Sequence, residues 1–168
     1  MQKDNGNEEA FRAVKLRTAR PEDKPFLLRL FAATRSDELT LMNLDEHQKK
    51  GFIAMQFEAQ SRQYVMSYPQ AQNSIILWND DPIGRLLLDR GEREFTLVDV
   101  ALLPDHRGSG IGTSLIQDIV KEAATAGKPI RLHVFTSSAA KRLYERLGFS
   151  QVGGDAVYLE MKWVPPVS

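Results

Sequence analysis

The chain has 168 residues, enough for one domain with a sizeable core. Its 22 acidic and 22 basic residues balance, so it lacks the basic surplus typical of a nucleic-acid binder. It contains no cysteine, which excludes disulfides, thiolate metal ligands and a cysteine nucleophile.

The first third of the sequence predicts a strand followed by two helices. Residues 1–12 are polar and predict a flexible arm with no signal peptide, so we place the domain at residues 13–165. A strand is predicted over residues 14–20. Pro21 and the two acids after it indicate a helix start, and the polar run at residues 34–37 breaks that helix. The second helix is predicted over residues 45–66, before Pro69.

The rest of the chain alternates between strand and helix patterns. Strands are predicted over residues 74–78, 83–89, 94–103, 130–135, 149–152 and 156–164, and helices over residues 110–126 and 138–147. The predicted order is β-α-α-β-β-β-α-β-α-β-β. This order indicates a single mixed α/β domain. No apolar run reaches the roughly 18 residues of a membrane span, so we expect a cytoplasmic protein that does not bind membranes.

A glycine-rich loop between a strand and a helix is the most informative segment. Gly108, Gly110 and Gly112 leave the backbone open to a close ligand, and the unpaired N–H groups of the following helix start favour an anion. Arg107 adds a full positive charge. The alternative is that these glycines serve only a tight turn. The spacing is neither that of a Walker A loop nor that of a dinucleotide fingerprint.

Isolated polar residues suggest the rest of a chemical site. Asp99 stands in an apolar strand, where burial would raise its pKa and suit a general base, although it could equally be a structural hydrogen-bonding residue. Glu38 is a rival base. His133 could relay a proton or simply pack in its strand. The three histidines have no metal-ligand spacing, so we predict no metal.

Two segments resemble the signatures of the GNAT superfamily of acetyl-CoA-dependent N-acetyltransferases. The loop reads Arg107-x-x-Gly110-x-Gly112, and residues 140–149 read A-x-x-L-Y-x-x-x-G-F. One helix and one strand separate the two segments, as in that family. The resemblance covers roughly residues 14–163. It departs from the family at Ser137, where many members have Asn.

The resemblance implies a mixed sheet whose fourth and fifth strands splay apart, with acetyl-CoA as the cosubstrate. The pantetheine arm would pair with the backbone in the manner of an added strand. Tyr144 would protonate the departing thiolate, and a packing role is the alternative. Arg35 and Glu38 would lie on the acceptor wall. The residues expected to contact the cofactor are Ala101, Leu102, Leu103, Arg107, Gly108, Ser109, Gly110, Ile111, Gly112, Thr113, Ser137 and Ala140.

The expected function is transfer of an acetyl group to a primary amine of a small molecule, peptide or protein within a ternary complex. One alternative is a domain that binds acetyl-CoA as a sensor or scaffold without turnover. Another is a nucleotide-binding α/β protein, which the missing Walker lysine disfavours. The sequence identifies neither the amine acceptor nor the oligomeric state, and a homodimer is possible.

Overall fold

A computed structural model describes residues 14–167. The predicted arm at residues 1–12 and the predicted first domain residue, Ala13, lie outside this range. Within it, seven strands form one sheet in the order β1-β2-β3-β4-β5-β7-β6. The strands are β1 (Val14–Thr18), β2 (Gln72–Trp78), β3 (Asp81–Arg90), β4 (Phe95–Leu102), β5 (Ile130–Phe135), β6 (Ser150–Gly154) and β7 (Tyr158–Trp163).

Five α-helices cover the described sheet. They are α1 (Lys24–Thr34), α2 (Ser36–Leu41), α3 (Glu46–Ser67), α4 (Ile111–Ala126) and α5 (Ala140–Arg146). Helix α3 begins with a capping box, in which Asp45 accepts from the Gln48 N–H and Gln48 Oε1 accepts from the Asp45 N–H. Helix α4 ends at Gly127, which adopts the left-handed conformation with φ of 67°.

The predicted mixed α/β fold is confirmed, with one addition. The polar run after α1 does end that helix, but residues 36–41 immediately form the short helix α2. Acidic side chains at Asp37 and Glu38 lie in its first turn, where the helix dipole favours them. No helix within residues 14–167 is both long and apolar enough to cross a bilayer.

A separate hydrophobic core lies on each face of the sheet. Helices α4 and α5 pack on one face around fully buried side chains such as Ile116, Ile130 and Met161. Helices α1 and α3 pack on the other face around Leu30, Phe57 and Ile75, among others. Each fully buried aliphatic side chain stabilises the fold by roughly 1.5–3 kcal/mol before entropic costs, so both helix layers are held firmly against the sheet.

Strands β4 and β5 diverge, and this opens the sheet. Their parallel pairing covers only Phe95 to Leu97 opposite Ile130 to Leu132. A β-bulge interrupts the pairing of β3 with β4, because Leu87 pairs with Asp99 while Leu88 pairs with Leu97. Val98 is therefore the extra residue, and such a bulge bends and twists its strand. The second half of β4 turns away from β5, as the resemblance implied.

Candidate active site

A cavity of about 900 Å³ occupies the gap between the splayed strands and extends under helices α1 and α3. Val98 to Ala101 of β4 line one side, and Leu132 to Phe135 of β5 line the other. Helix α5 contributes Ala140 and Tyr144. The cavity is therefore bordered by the strand that carries Asp99 and by the helix that carries Tyr144.

The glycine-rich loop presents a helix start without a side-chain cap. Gly110 is the N-cap of α4, with φ of 85°, and no side chain bonds to the first turn. Gly108 is also left-handed, with φ of 72°. A Cβ at Gly112 would meet only Leu102, at 4.0 Å, so space remains in front of the helix. Free N–H groups beside open backbone fit an anionic group such as the pyrophosphate of CoA.

Arg107 is anchored beside this helix start. Its Nε donates a hydrogen bond of 3.0 Å to the carbonyl of Leu102, and Ser109 Oγ donates one of 2.8 Å to the carbonyl of His106. Since only Nε of Arg107 is used in that bond, the guanidinium end stays available to a bound anion. The positive charge of Arg107 and the positive end of the α4 dipole therefore lie close together.

The open edge of β4 differs from the expectation at Leu103. The Leu103 N–H donates to the carbonyl of Ile83 at 2.8 Å, so that group is not available to a ligand. Backbone groups point alternately to the two sides of a strand, so Ala101 also faces β3. Val100 and Leu102 are then the residues that face the gap. An added strand would pair there, so Leu102 is the one residue of the predicted Ala101, Leu102 and Leu103 that faces the gap.

Asp99 projects into the cavity from the residue after the bulge. Burial raises its pKa, while the charges of Arg85 and Arg35 and a backbone hydrogen bond from Val100 act in the opposite direction. Its Oδ2 lies 4.0 Å from Nε of Arg85. The carboxylate is thus in a setting that raises its basicity while leaving it open to the cavity.

Tyr144 is a buried cavity residue on α5. Its ring packs edge-on against Phe149, with 5.5 Å between centroids. Burial, reinforced by the nearby charge of Asp99, raises the pKa of the phenol to about 12. The hydroxyl therefore stays protonated at neutral pH, as a proton donor requires.

Arg85 is a site residue that the sequence reading missed. It lies on β3, is only 8% exposed and lines the cavity, with its Cζ 5.4 Å from the centroid of the Tyr64 ring. Burial, with the charge of Asp99 adding to it, raises the pKa of Tyr64 to about 12. A charged residue inside an apolar strand was the available signal, the same one that pointed to Asp99.

Three of the predicted site residues, Arg35, Glu38 and His133, line the cavity. Tyr68, Gly154 and Asp155 also line it. Ser137 is exposed outside the lining, while Ser138 does line the cavity and accepts a hydrogen bond from the Ala140 N–H at 3.1 Å. Within residues 14–167, no group of three or more potential ligands could hold a metal ion.

Comparison with known proteins indicates the family. The model of the acetyltransferase (GNAT) domain matches residues 69–151, which contain β2 to α5, the glycine-rich loop and Tyr144. This match supports the GNAT superfamily. A curated relative, the ribosomal protein bS18-alanine N-acetyltransferase of Haemophilus influenzae, is 31% identical over 81 residues. That match covers 48% of this chain and 56% of the relative, so it spans little more than half of that protein.

Solved structures are similar to this chain over nearly all of its length. The PaiA N-acetyltransferase of Thermoplasma acidophilum, in complex with coenzyme A, superposes with a TM-score of 0.68 at 16% identity, covering 90% of this chain and 98% of that one. The ribosomal-protein-S18-alanine N-acetyltransferase of Escherichia coli gives 0.62 at 18% identity, covering 92% and 96%. At these identities the likeness establishes the shared GNAT fold.

Proposed function

We propose that the protein transfers an acetyl group from acetyl-CoA to a primary amine by direct attack within a ternary complex. The observation that carries this proposal is the divergence of β4 from β5 after Leu97 and Leu132, which opens a cavity. A basic carboxylate, Asp99, and a buried phenol, Tyr144, border that cavity. A structural relative is described in complex with coenzyme A, which supports the choice of cofactor.

The binding half of the proposal rests on the loop and the open strand edge. The N–H groups at the start of α4 and the guanidinium of Arg107 would hold the pyrophosphate. The Val100 carbonyl and the Leu102 N–H would pair with the pantetheine amides, since Arg107 already occupies the Leu102 carbonyl. The thioester would then lie in the gap, where a free strand N–H can donate to the oxyanion that forms during attack.

Asp99 is proposed as the base and Tyr144 as the acid. The amine nitrogen forms a bond to the thioester carbon, and Asp99 accepts the proton that the amine loses. The carbon–sulfur bond breaks, and Tyr144 supplies a proton to the sulfur. An ionised Asp99 raises the pKa of Tyr144, so protonation of Asp99 removes that charge and makes the phenol a better donor. The two proton transfers are therefore coupled in the productive direction.

Release of free thiol from acetyl-CoA in the presence of a panel of amines tests the function directly. We expect thiol release that depends on the amine, together with an acetylated product found by mass spectrometry. Binding of acetyl-CoA without thiol release across polyamines, amino acids and peptides would instead favour a domain that senses acetyl-CoA without turnover.

A further inference from the structure

Two arginines on the acceptor side of the cavity are incompletely paired. The Nε atoms of Arg35 and Arg85 are buried and have no hydrogen-bond partner among the described residues. Arg85 is only 8% exposed. A buried donor without a partner costs roughly 1–3 kcal/mol, more when it is charged. Both side chains line the cavity, so a ligand bound there can accept hydrogen bonds from their terminal N–H groups.

Aromatic rings hold both guanidinium groups in place. The Cζ of Arg35 lies 4.2 Å from the centroid of the Phe31 ring, and Phe31 in turn packs edge-on against Phe57 at 5.6 Å. Arg85 lies over Tyr64, at 5.4 Å. A guanidinium stacked on a ring keeps its in-plane N–H groups free. Two of these parallel N–H groups match the two oxygens of a carboxylate.

The carboxylates of the cavity neutralise this pair only in part. Asp99 forms a long ion pair with Arg85, with 4.0 Å between Oδ2 and Nε, and the charges of both Arg85 and Arg35 act on its pKa. Glu160 forms an ion pair with Arg131, and Asp155 accepts the N–H groups of Val157 and Tyr158. Glu38 is exposed on the short helix α2. Among these groups, the single carboxylate of Asp99 therefore faces the two positive charges of Arg35 and Arg85.

We propose that Arg35 and Arg85 form an anion subsite for the acceptor, so that the substrate is a small-molecule amine carrying a carboxylate, of the amino acid class. The carboxylate would bind the two guanidinium groups, and the amine would lie at Asp99. This inference rests on the proposed acetyltransferase function. A polycationic acceptor is disfavoured, because its charges would meet the two guanidinium groups that line the cavity.

The test compares each common L-amino acid with its carboxamide, which keeps the amine and removes the negative charge. Thiol release gives kcat and KM for each pair, and calorimetry gives the affinity of each member for the protein saturated with CoA. We expect the acid to exceed its amide by about tenfold to a hundredfold in kcat/KM, mostly through KM. Spermidine and a peptide with an N-terminal alanine complete the panel.

Variants of Arg35 link that preference to the subsite. Arg35→Gln should reduce the acid-to-amide ratio by about tenfold, and Arg35→Lys should restore part of it by returning the charge without the fork. Arg62→Gln is the matched control, because Arg62 is exposed on α3 and does not line the cavity. Unchanged affinity for acetyl-CoA in each variant shows that the fold is intact.

The outcomes separate this inference from the function on which it rests. Turnover with equal kcat/KM for acids and amides, or with the peptide or spermidine alone, overturns the anion subsite and leaves the acetyltransferase standing. Binding of an amino acid but not its amide to the CoA-loaded protein, without turnover, supports the subsite and overturns the enzyme. Failure to bind acetyl-CoA overturns the proposed function, and equal binding of acid and amide overturns the subsite.

Discussion

At the scale of single residues, Asp99 and Tyr144 form one electrostatic unit. The charge of Asp99 helps to raise the pKa of Tyr144 to about 12, and Asp99 itself is made more basic by burial and less basic by Arg85 and Arg35. Removing either group therefore alters the other. The pH dependence of each variant carries more information than a single rate.

Tyr144→Phe is predicted to lower kcat by about a hundredfold, within the usual range for loss of a general acid. The phenylalanine ring keeps the edge-on packing with Phe149, so the dissociation constant for acetyl-CoA should stay within about twofold. Stopped-time thiol assays and calorimetry measure the two quantities. Tyr68→Phe, which removes another hydroxyl from the cavity wall, controls for a general effect of lost polarity. An unchanged kcat in Tyr144→Phe would rule out the acid role.

Asp99→Asn is predicted to remove one ascending limb from the pH profile of kcat/KM. A base must be ionised to accept a proton, so kcat/KM rises as the pH passes through the pKa of Asp99. Burial raises that pKa, so the limb lies above the ordinary aspartate value of about 4. The limb should stay in place when the acceptor is exchanged for an amine of different pKa, which separates it from titration of the substrate. A limb that persists in Asp99→Asn would show that another titrating group, such as Glu38, takes the proton.

At the scale of elements, the loop before α4 and the bulge in β4 decide where ligands can bind. The periodicity and the glycines made the loop and its helix predictable from the sequence. The bulge was not predictable, because an extra residue in a strand changes no composition signal and is set by pairing with β3. The sequence predicted pairing groups at Ala101, Leu102 and Leu103, but Leu103 donates to β3, and Val100 and Leu102 are the residues that face the gap.

Gly112→Asp tests the loop more cleanly than a change at Gly110, whose positive φ strains any side chain. Space is available at Gly112, and an acid in the first turn of a helix is favoured by the dipole, so the melting temperature should not fall. The affinity for acetyl-CoA should fall at least tenfold, because a carboxylate would face the pyrophosphate. Calorimetry and thermal melts measure both effects. Gly51→Asp, at an exposed position of α3, is the matched control and should leave affinity unchanged.

At the scale of the whole molecule, the two helix layers were predictable from the apolar periodicity, whereas the contacts across the chain were not. In the sequence, Arg85 is a single charged residue within a strand. Its contact with Tyr64 could not be predicted, because it depends on how α3 crosses the sheet. The bidentate pair of Arg17 with Asp23, at 2.7 Å for each bond, likewise joins β1 to the turn before α1 and left no motif in the sequence.

Asp23→Asn is predicted to lower the free energy of unfolding by about 2 kcal/mol at pH 7. The hydrogen bonds from Arg17 lower the pKa of Asp23 to about 2. A lowered pKa stabilises the fold above the unfolded value near 4, and that stabilisation is lost as pH falls toward 2. Chemical denaturation at several pH values should therefore show a difference that disappears in acid. Asp118→Asn, at an exposed position of α4, should show no such trend, and a constant difference for Asp23→Asn would contradict the assignment.

The most direct test of the central claim is a calorimetric titration of the protein with acetyl-CoA, with ATP and NAD as controls. We expect micromolar binding of acetyl-CoA at one site and no comparable binding of the two nucleotides. Absence of acetyl-CoA binding, or equally tight binding of ATP, would contradict it and show that the loop before α4 serves another ligand.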